Sequence, residues 1–325
     1  MKQAVRSIGT ALICFFAVIV LNFLLPRLLP GDPIAYLTGF SEEELSTEQY
    51  EAYRNALHLN ETQLTQFRFY LHSLTDGSLG YSYQKNAVVS ALIFRRLGAT
   101  LQITLPAVLL STLLGLIWGL NCGFKKGGVG DRISSALHVL VNAVPTFVLG
   151  LLLMLVFCFR HKWLPYTGLN TEGVASGTVK YVFDRIRHLC LPVLTLTMAT
   201  LPSRFLLMRN TAGQLAEEKF VLYAKERGLS ERKIKYAYIL PNIAQPFITM
   251  VGMSVSVCVG GSLVLENIFS VPGMGKLLNE AVYSLDYPLM QGILFVTTSI
   301  MVIAVIVTDV LCILIDPKLR RGGTK

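Results

Sequence analysis

Leu222-Tyr-Ala-Lys-Glu-Arg-Gly-Leu-Ser-Glu-Arg-Lys-Ile-Lys-Tyr-Ala-Tyr-Ile-Leu-Pro241 decides how this chain is read. It is a charged run of helix, glycine and helix, set between apolar stretches long enough to cross a bilayer. Residues 211–227 read as one helix and 230–240 as a second. Gly228 divides them. A glycine just past a helix end takes the left-handed conformation that closes it, and Lys225 and Arg227 suit the negative end of the helix dipole. Ser230 is placed to cap the second helix. Leu229 and Ile234 hold the two positions of a hydrophobic staple, which fixes the angle between the helices. Leu240-Pro241 marks the return towards the membrane. The expected product is a rigid, bent knob presenting Ala224, Gly228 and Leu229 to a partner, with small residues allowing close backbone approach. A plain basic loop at the headgroups is the alternative. Cap, staple and small residues all agree on the knob.

Of the 325 residues, 53% are hydrophobic and 15% charged, whereas a soluble domain has about 25% charged. A membrane-spanning helix needs roughly 20 mostly apolar residues. Stretches 8–29, 98–122, 132–158, 188–208, 243–265 and 290–314 meet that requirement. The fold expected is therefore an all-α polytopic membrane protein with six transmembrane helices. It divides into a first helix in 1–29, an outer segment 30–97, a five-helix core 98–315 carrying the knob within 209–241, and a tail 316–325. A soluble protein would have to bury all of these runs at once.

The net charge of +9 is unevenly placed. With the N-terminus inside, 17 of the 29 Lys and Arg residues, Arg204 and Arg209 among them, fall on the cytoplasmic side with only six of the 20 acids. That is the positive-inside pattern. The basic balance points to topology and anionic membrane lipid and away from nucleic acid. The first apolar run resembles a signal peptide in starting behind Lys2 and Arg6, but it is long and no A-x-A site follows; it reads as a retained helix. The six cysteines lie in or beside apolar runs without a C-x-x-C pair, which suits small buried hydrophobes better than disulfides or a metal.

Within the spans, Gly115, Gly119 and Gly123 recur at four-residue spacing and would permit close helix contact, unless they are incidental. Asn142 and Pro145 mark the third span as a kink beside a pathway, since proline in a span is tolerated where neighbours satisfy the freed carbonyl. Asp309 sits near the end of the last span, within reach of interfacial water or a neighbouring cation. Glu266, just outside the fifth, either touches substrate or anchors the Pro272-Gly273 turn. The five histidines are scattered without ligand spacing.

At the knob the chain resembles binding-protein-dependent ABC importer permeases, whose coupling loop reads Glu-Ala-Ala, a short spacer, Gly, and later Leu-Pro. Counted back from Gly228, those first places hold Leu222, Tyr223 and Ala224; only the second Ala, the Gly and the Leu-Pro match. This departure resembles the dipeptide/oligopeptide/nickel branch. So do Pro30-Gly-Asp-Pro33, Gly77-Ser-Leu-Gly-Tyr-Ser82, Ala99-Thr-Leu-Gln-Ile-Thr104, Glu266-Asn-Ile-Phe-Ser-Val-Pro-Gly-Met-Gly275, Asp286-Tyr-Pro-Leu-Met-Gln-Gly292 and Asp316-Pro-Lys-Leu-Arg320. The long outer segment is similar to that of the B-type member of the permease pair.

The resemblance implies a non-catalytic subunit of the bacterial cytoplasmic (inner) membrane, multi-pass, with both termini cytoplasmic. Its implied partners are a second, similar permease, two cytosolic ABC ATPases and an extracytoplasmic substrate-binding protein. The implied coupling loop comprises Ala224, Arg227, Gly228, Leu229, Ser230, Leu240 and Pro241. No cofactor is expected on this chain, and no G-x-x-x-x-G-K-[ST] is present; ATP is used by the partner subunits. The implied cargo is nickel or a metal chelate, or a di- or oligopeptide, with Glu266-Asn-Ile-Phe leaning slightly to the nickel type. An ion-coupled secondary transporter is the competing function, but it calls for mid-membrane charge and an internal repeat, and the sequence shows no repeat. A membrane enzyme would need an acid–base constellation that is not legible here.

Overall fold

The computed structural model describes residues 2–28, 32, 34–35, 44–56, 59–260 and 263–315. The expected tail 316–325, with its Asp316-Pro-Lys motif, and most of the Pro30–Pro33 break lie outside the described residues.

Helix α1 (Lys2–Leu28) leads to a segment holding α2 (Thr47–Ala56) and α3 (Gln63–Thr75). Ser46 and Gln49 cap α2 reciprocally: the Gln49 N–H donates to Ser46 Oγ at 3.2 Å and the Ser46 N–H to Gln49 Oε1 at 3.0 Å. That is a capping box. A two-residue hairpin, β1 (Tyr81–Ser82) paired antiparallel with β2 (Ala87–Val88), closes the segment. The sequence reading contained no strand there.

The long elements follow: α4 (Val89–Phe124), α5 (Val129–Ala143), α6 (Thr146–Met154, extended by a π-wound Leu155–Arg160) and α7 (Val179–Ala216). Then come α8 (Lys219–Glu226), α9 (Glu231–Lys233), a π-wound Ile234–Ile239, α10 (Leu240–Gly260), α11 (Leu263–Ile268), α12 (Met274–Tyr283) and α13 (Tyr287–Ile315). On their own, α4, α7 and α13 are long and apolar enough to cross a membrane. That is fewer than the six spans expected; α1 with 27 residues and α10 with 21 have adequate length.

The third expected span needs correction. It is not one helix but α5 and α6, bent by 97°. The break is at Val144, whose backbone is extended at φ −84 and ψ 123. Pro145 follows it, and the residue before a proline is pushed out of the helical region.

The tightest seam joins α4 to α7. A Cβ on Gly115 would lie 2.6 Å from Arg204 Cβ, and one on Gly119 would lie 2.6 Å from Met208 Cβ and 2.7 Å from the Phe205 carbonyl. The Gly115/Gly119/Gly123 spacing is thus a packing device, and the backbones approach where a side chain would not fit. At the end away from the knob, Leu79, Val89, Ile93, Met274, Leu277 and Leu289 form one apolar cluster. Buried Asp286 ties the hairpin to α13: it accepts from Ser82 Oγ and, at 3.2 Å, from the Leu289 N–H.

Candidate functional site

The knob is built by local rules. Helix α8 ends in a paired closure: the Gly228 N–H donates to the Lys225 carbonyl at 2.9 Å and the Leu229 N–H to the Ala224 carbonyl at 3.2 Å. This is the Schellman arrangement, which requires a left-handed residue, and Gly228 supplies it at φ +71. Ser230 Oγ then accepts from the Lys233 N–H at 3.4 Å and starts the next helix. Leu229 and Ile234 meet in one apolar cluster with Leu120, Met208, Ala212, Val221 and Ile243. The ends of α4 and α7 and the start of α10 are therefore glued to the knob.

Three expectations about the knob change. The helix read over 211–227 is broken at Glu218, which is extended at ψ 146; the chain must turn there for Val221 and Ala224 to reach the cluster. Ala224 is not presented to a partner, being 2% exposed; its smallness serves the chain's own packing. The second helix, read over 230–240, does not end at Leu240-Pro241, because the helical path runs from Glu231 to Gly260 without a break. Ile234–Ile239 is π-wound, with the Leu240 N–H reaching back to the Lys235 carbonyl. A π turn is rare and occurs mostly as a single turn inside an α-helix, and here it precedes a proline that has no N–H to give. Arg227, Gly228, Ser230 and Pro241 are exposed, and Leu240 is half-buried. The outward apolar groups are instead Phe220, Leu222, Tyr223 and Tyr236.

Charge holds the knob's base. Lys225 and Lys235 flank the Phe124 ring, with Nζ atoms 5.2 and 5.6 Å from its centroid. Lys235 Nζ donates to Asn121 Oδ1 at 2.7 Å, and Lys125 lies 3.2 Å from Glu231. Beneath them, Arg209 grips buried Asp131 through two hydrogen bonds of 2.7 and 2.5 Å. The Gly127 N–H adds a third to that carboxylate at 2.9 Å. This fastens the α4–α5 turn to α7.

A cavity of about 300 Å³ opens between α4, α7 and α10. Thr104, Thr200, Ser203 and Ser254 give it polar walls, Met250 and Met253 apolar ones, and Arg204 a charge. Arg204 is 4% exposed. Its Nε donates to Thr112 Oγ1 at 3.2 Å, one terminal nitrogen to the Thr200 carbonyl at 3.0 Å, and the other to Ser254 Oγ at 2.9 Å. Thr112 and Ser254 lie at the centres of the spans read over 98–122 and 243–265. Arg204 thus belongs to the interior, and its assignment to the cytoplasmic cations is corrected. The sequence reading counted Arg204 with the cytoplasmic cations although it falls within the span read over 188–208. The clue was the continuation of helical pattern to Ala216, which moves Arg204 inward.

The expected pathway residues are not at this cavity. Asn142 and Pro145 are both exposed, at the elbow between α5 and α6. Asp309 is half-buried in α13. Glu266 anchors the turn: 2% exposed, it accepts from Thr100 Oγ1 at 2.7 Å and from the Lys276 N–H at 3.0 Å. Thr100 Oγ1 in turn accepts from the Met274 N–H at 2.7 Å. Burial pushes the Glu266 carboxyl above its ordinary range, against the opposing pull of those donors. Among the described residues there is no cluster of three His, Cys, Asp or Glu side chains suited to a metal ion.

Comparison with known proteins agrees with this architecture. Residues 81–321 match the family of the binding-protein-dependent transport system inner membrane component. A probable peptide ABC transporter permease of Sinorhizobium fredii is 31% identical over 92% of both chains. A dipeptide transport system permease of Lactococcus lactis is 28% identical, covering 98% of this chain and 99% of its own. A nickel import system permease of Staphylococcus aureus is 26% identical, covering 98% of this chain and 92% of its own. With the knob, the helical core and the family match together, the chain belongs to the binding-protein-dependent transport system inner membrane components, as a permease of the ABC importer type.

Proposed function

We propose that this permease forms half of a translocation pathway with a second, similar permease, and that its knob is the seat of a cytosolic ATPase. The observation that carries the reading is the knob's two-sidedness. Val221, Ala224 and Ile234 face inward onto the ends of three long helices, while Leu222, Tyr223 and Tyr236 face out. Burying one such outward side chain against a partner contributes about 1.5–3 kcal/mol. Leu222 and Tyr223 are the positions that depart from Glu-Ala-Ala, so the departure is where a partner's surface would be read.

Closure of the ATPases would swing the knob, and with it the ends of α4, α7 and α10. A rigid-body rotation of this sort alternates a pathway between outward- and inward-facing states. The membrane topology that suits this has six crossings, with α1 and α10 counted as spans and α5–α6 as a bent one, and both termini cytoplasmic. A binding protein would deliver cargo at the opposite end, near the Glu266 turn. The cargo is a short peptide, or nickel or its chelate; relatives' names describe dipeptide transport and nickel import.

Co-purification tests the reading. The chain should retain a second permease and two ATPases, and proteoliposomes of that complex should take up labelled dialanine or nickel chelate only with ATP and a binding protein. ATP-independent uptake driven by a proton or sodium gradient would replace this reading with the ion-coupled transporter.

A further inference from the structure

Arg204 is a charge without a counter-charge. Among the described residues no carboxylate lies within ion-pair distance of it, and its three hydrogen bonds go to two hydroxyls and one carbonyl, all neutral. Ionisable groups inside membrane spans are rare and ordinarily paired, and by default mark a substrate path. A guanidinium carries five N–H donors. Three are engaged, which leaves one N–H on each terminal nitrogen without a protein acceptor and available to an anion, whose charge-assisted hydrogen bonds are the strong ones. The group also lines a cavity of about 300 Å³ whose remaining polar walls are threonines and serines. The cost of burying the cation has already been met by the fold, so an arriving anion gains its attraction without that cost.

We infer that Arg204 is a transit site for a carboxylate-bearing solute, such as the terminal carboxylate of a short peptide. The inference rests on the importer reading and narrows its cargo. The same fixed charge repels a bare divalent cation, so metal could pass this cavity only wrapped in an anionic chelator. Geometry also explains why Arg204 is presented steadily. Gly115 lies so close that a Cβ there would stand 2.6 Å from Arg204 Cβ, and hydrogen bonds from α4, α7 and α10 fix the fork in place. The rival role is a purely structural strut between those helices.

Ser203, exposed beside Arg204 in the cavity wall, gives the test. Ser203→Cys is made in the full chain, purified with its native partners in lipid nanodiscs. Labelling at residue 203 by a neutral thiol reagent is read by mass spectrometry. N-acetyl-dialanine, which carries only a carboxylate charge, is compared with N-acetyl-dialanine amide. The acid should slow labelling by about tenfold at a concentration where the amide has no effect, the factor that one charge-assisted pair supplies. Adding Arg204→Gln should abolish the difference, and Arg204→Lys should keep part of it. Citrate is the second anion: stronger protection by citrate names a chelate as the source, stronger protection by the acetylated peptide names a peptide. Equal protection by acid and amide, or protection by neither, overturns the site and leaves the strut. If Arg204→Gln fails to fold, the acid-against-amide comparison in Ser203→Cys alone still decides. The labelling needs neither ATP nor binding protein. Absent uptake with intact protection would remove the importer reading alone; intact uptake without carboxylate-selective protection would remove this site alone.

Discussion

At the scale of single residues, Gly228 carries the clearest demand. Its φ of +71 is left-handed, yet nothing stands within 4 Å of where a Cβ would project. Space is therefore not the constraint; backbone conformation is. Gly228→Ala should cost only about 1–2 kcal/mol, and Gly228→Asn less, because asparagine tolerates that conformation. Gly228→Pro is different in kind: a ring fixed near φ −65 cannot occupy the site, and the N–H given to Lys225 is lost. Uptake should disappear in Gly228→Pro while ATP hydrolysis by the complex continues, and Gly228→Asn should transport nearly normally. Near-normal uptake by the proline variant would show that the knob does not couple.

This residue was legible in the sequence because a helix closure is written in adjacent positions. Gly228, Ser230, Leu229 and Ile234 each fulfil the local role their spacing implied. Arg204 was not legible for the opposite reason. Its setting comes from Thr112 and Ser254, 92 and 50 positions away, and a hydropathy window sees only neighbours. Ala224 failed similarly: smallness shows in sequence, but the face it turns to is decided by three other helices.

Among the elements, the glycine seam between α4 and α7 makes a firm forecast. Gly119→Ala places a methyl among Met208 Cβ and the Phe205 carbonyl, both backbone-fixed. Overpacking of a well-fitted contact costs about 1–3 kcal/mol, so the detergent-solubilised variant should melt at lower temperature. Gly130→Ala, with nothing within 4 Å, is the matched control and should not. The turn held by Glu266 predicts a pH effect. Its folded carboxyl titrates above the ordinary value because burial disfavours the charge. The folded state then binds more protons than the unfolded one between the two pKa values, so stability falls as pH rises through that window. Melting temperature should decline from about pH 4 upward, and Glu266→Gln should flatten the decline, although its single amide oxygen cannot accept from both Thr100 Oγ1 and the Lys276 N–H as the two carboxylate oxygens do, which lowers the plateau. Element types were readable from periodicity along most of the chain. The elbow at Val144-Pro145 was readable as a kink but not as a 97° corner, since a proline says where a helix gives way and not by how much.

For the whole molecule, the outward apolar groups of the knob separate assembly from folding. Tyr223 is 62% exposed and takes no part in the cluster that binds α4, α7 and α10 to the knob. Tyr223→Glu should leave the melting temperature of the isolated permease unchanged and reduce its retention of the ATPases by at least about tenfold, the factor for loss of roughly 1.4 kcal/mol of contact. Equal retention in a pull-down would move the docking surface elsewhere.

The seam and the cavity both adjoin α7, and their contrast has a mechanical consequence. Where the α4 glycines seat directly against Arg204 Cβ, Met208 Cβ and the Phe205 and Arg209 carbonyls, the close contact favours α4 and α7 moving together. Across the cavity, α10 meets that pair through Met250, Met253 and the Arg204–Ser254 hydrogen bond, with open space between them. Any displacement of the knob relative to α10 would therefore change the width of the gap beside Arg204, so that under the proposed mechanism the grip on an anion and the stroke would be one coordinate.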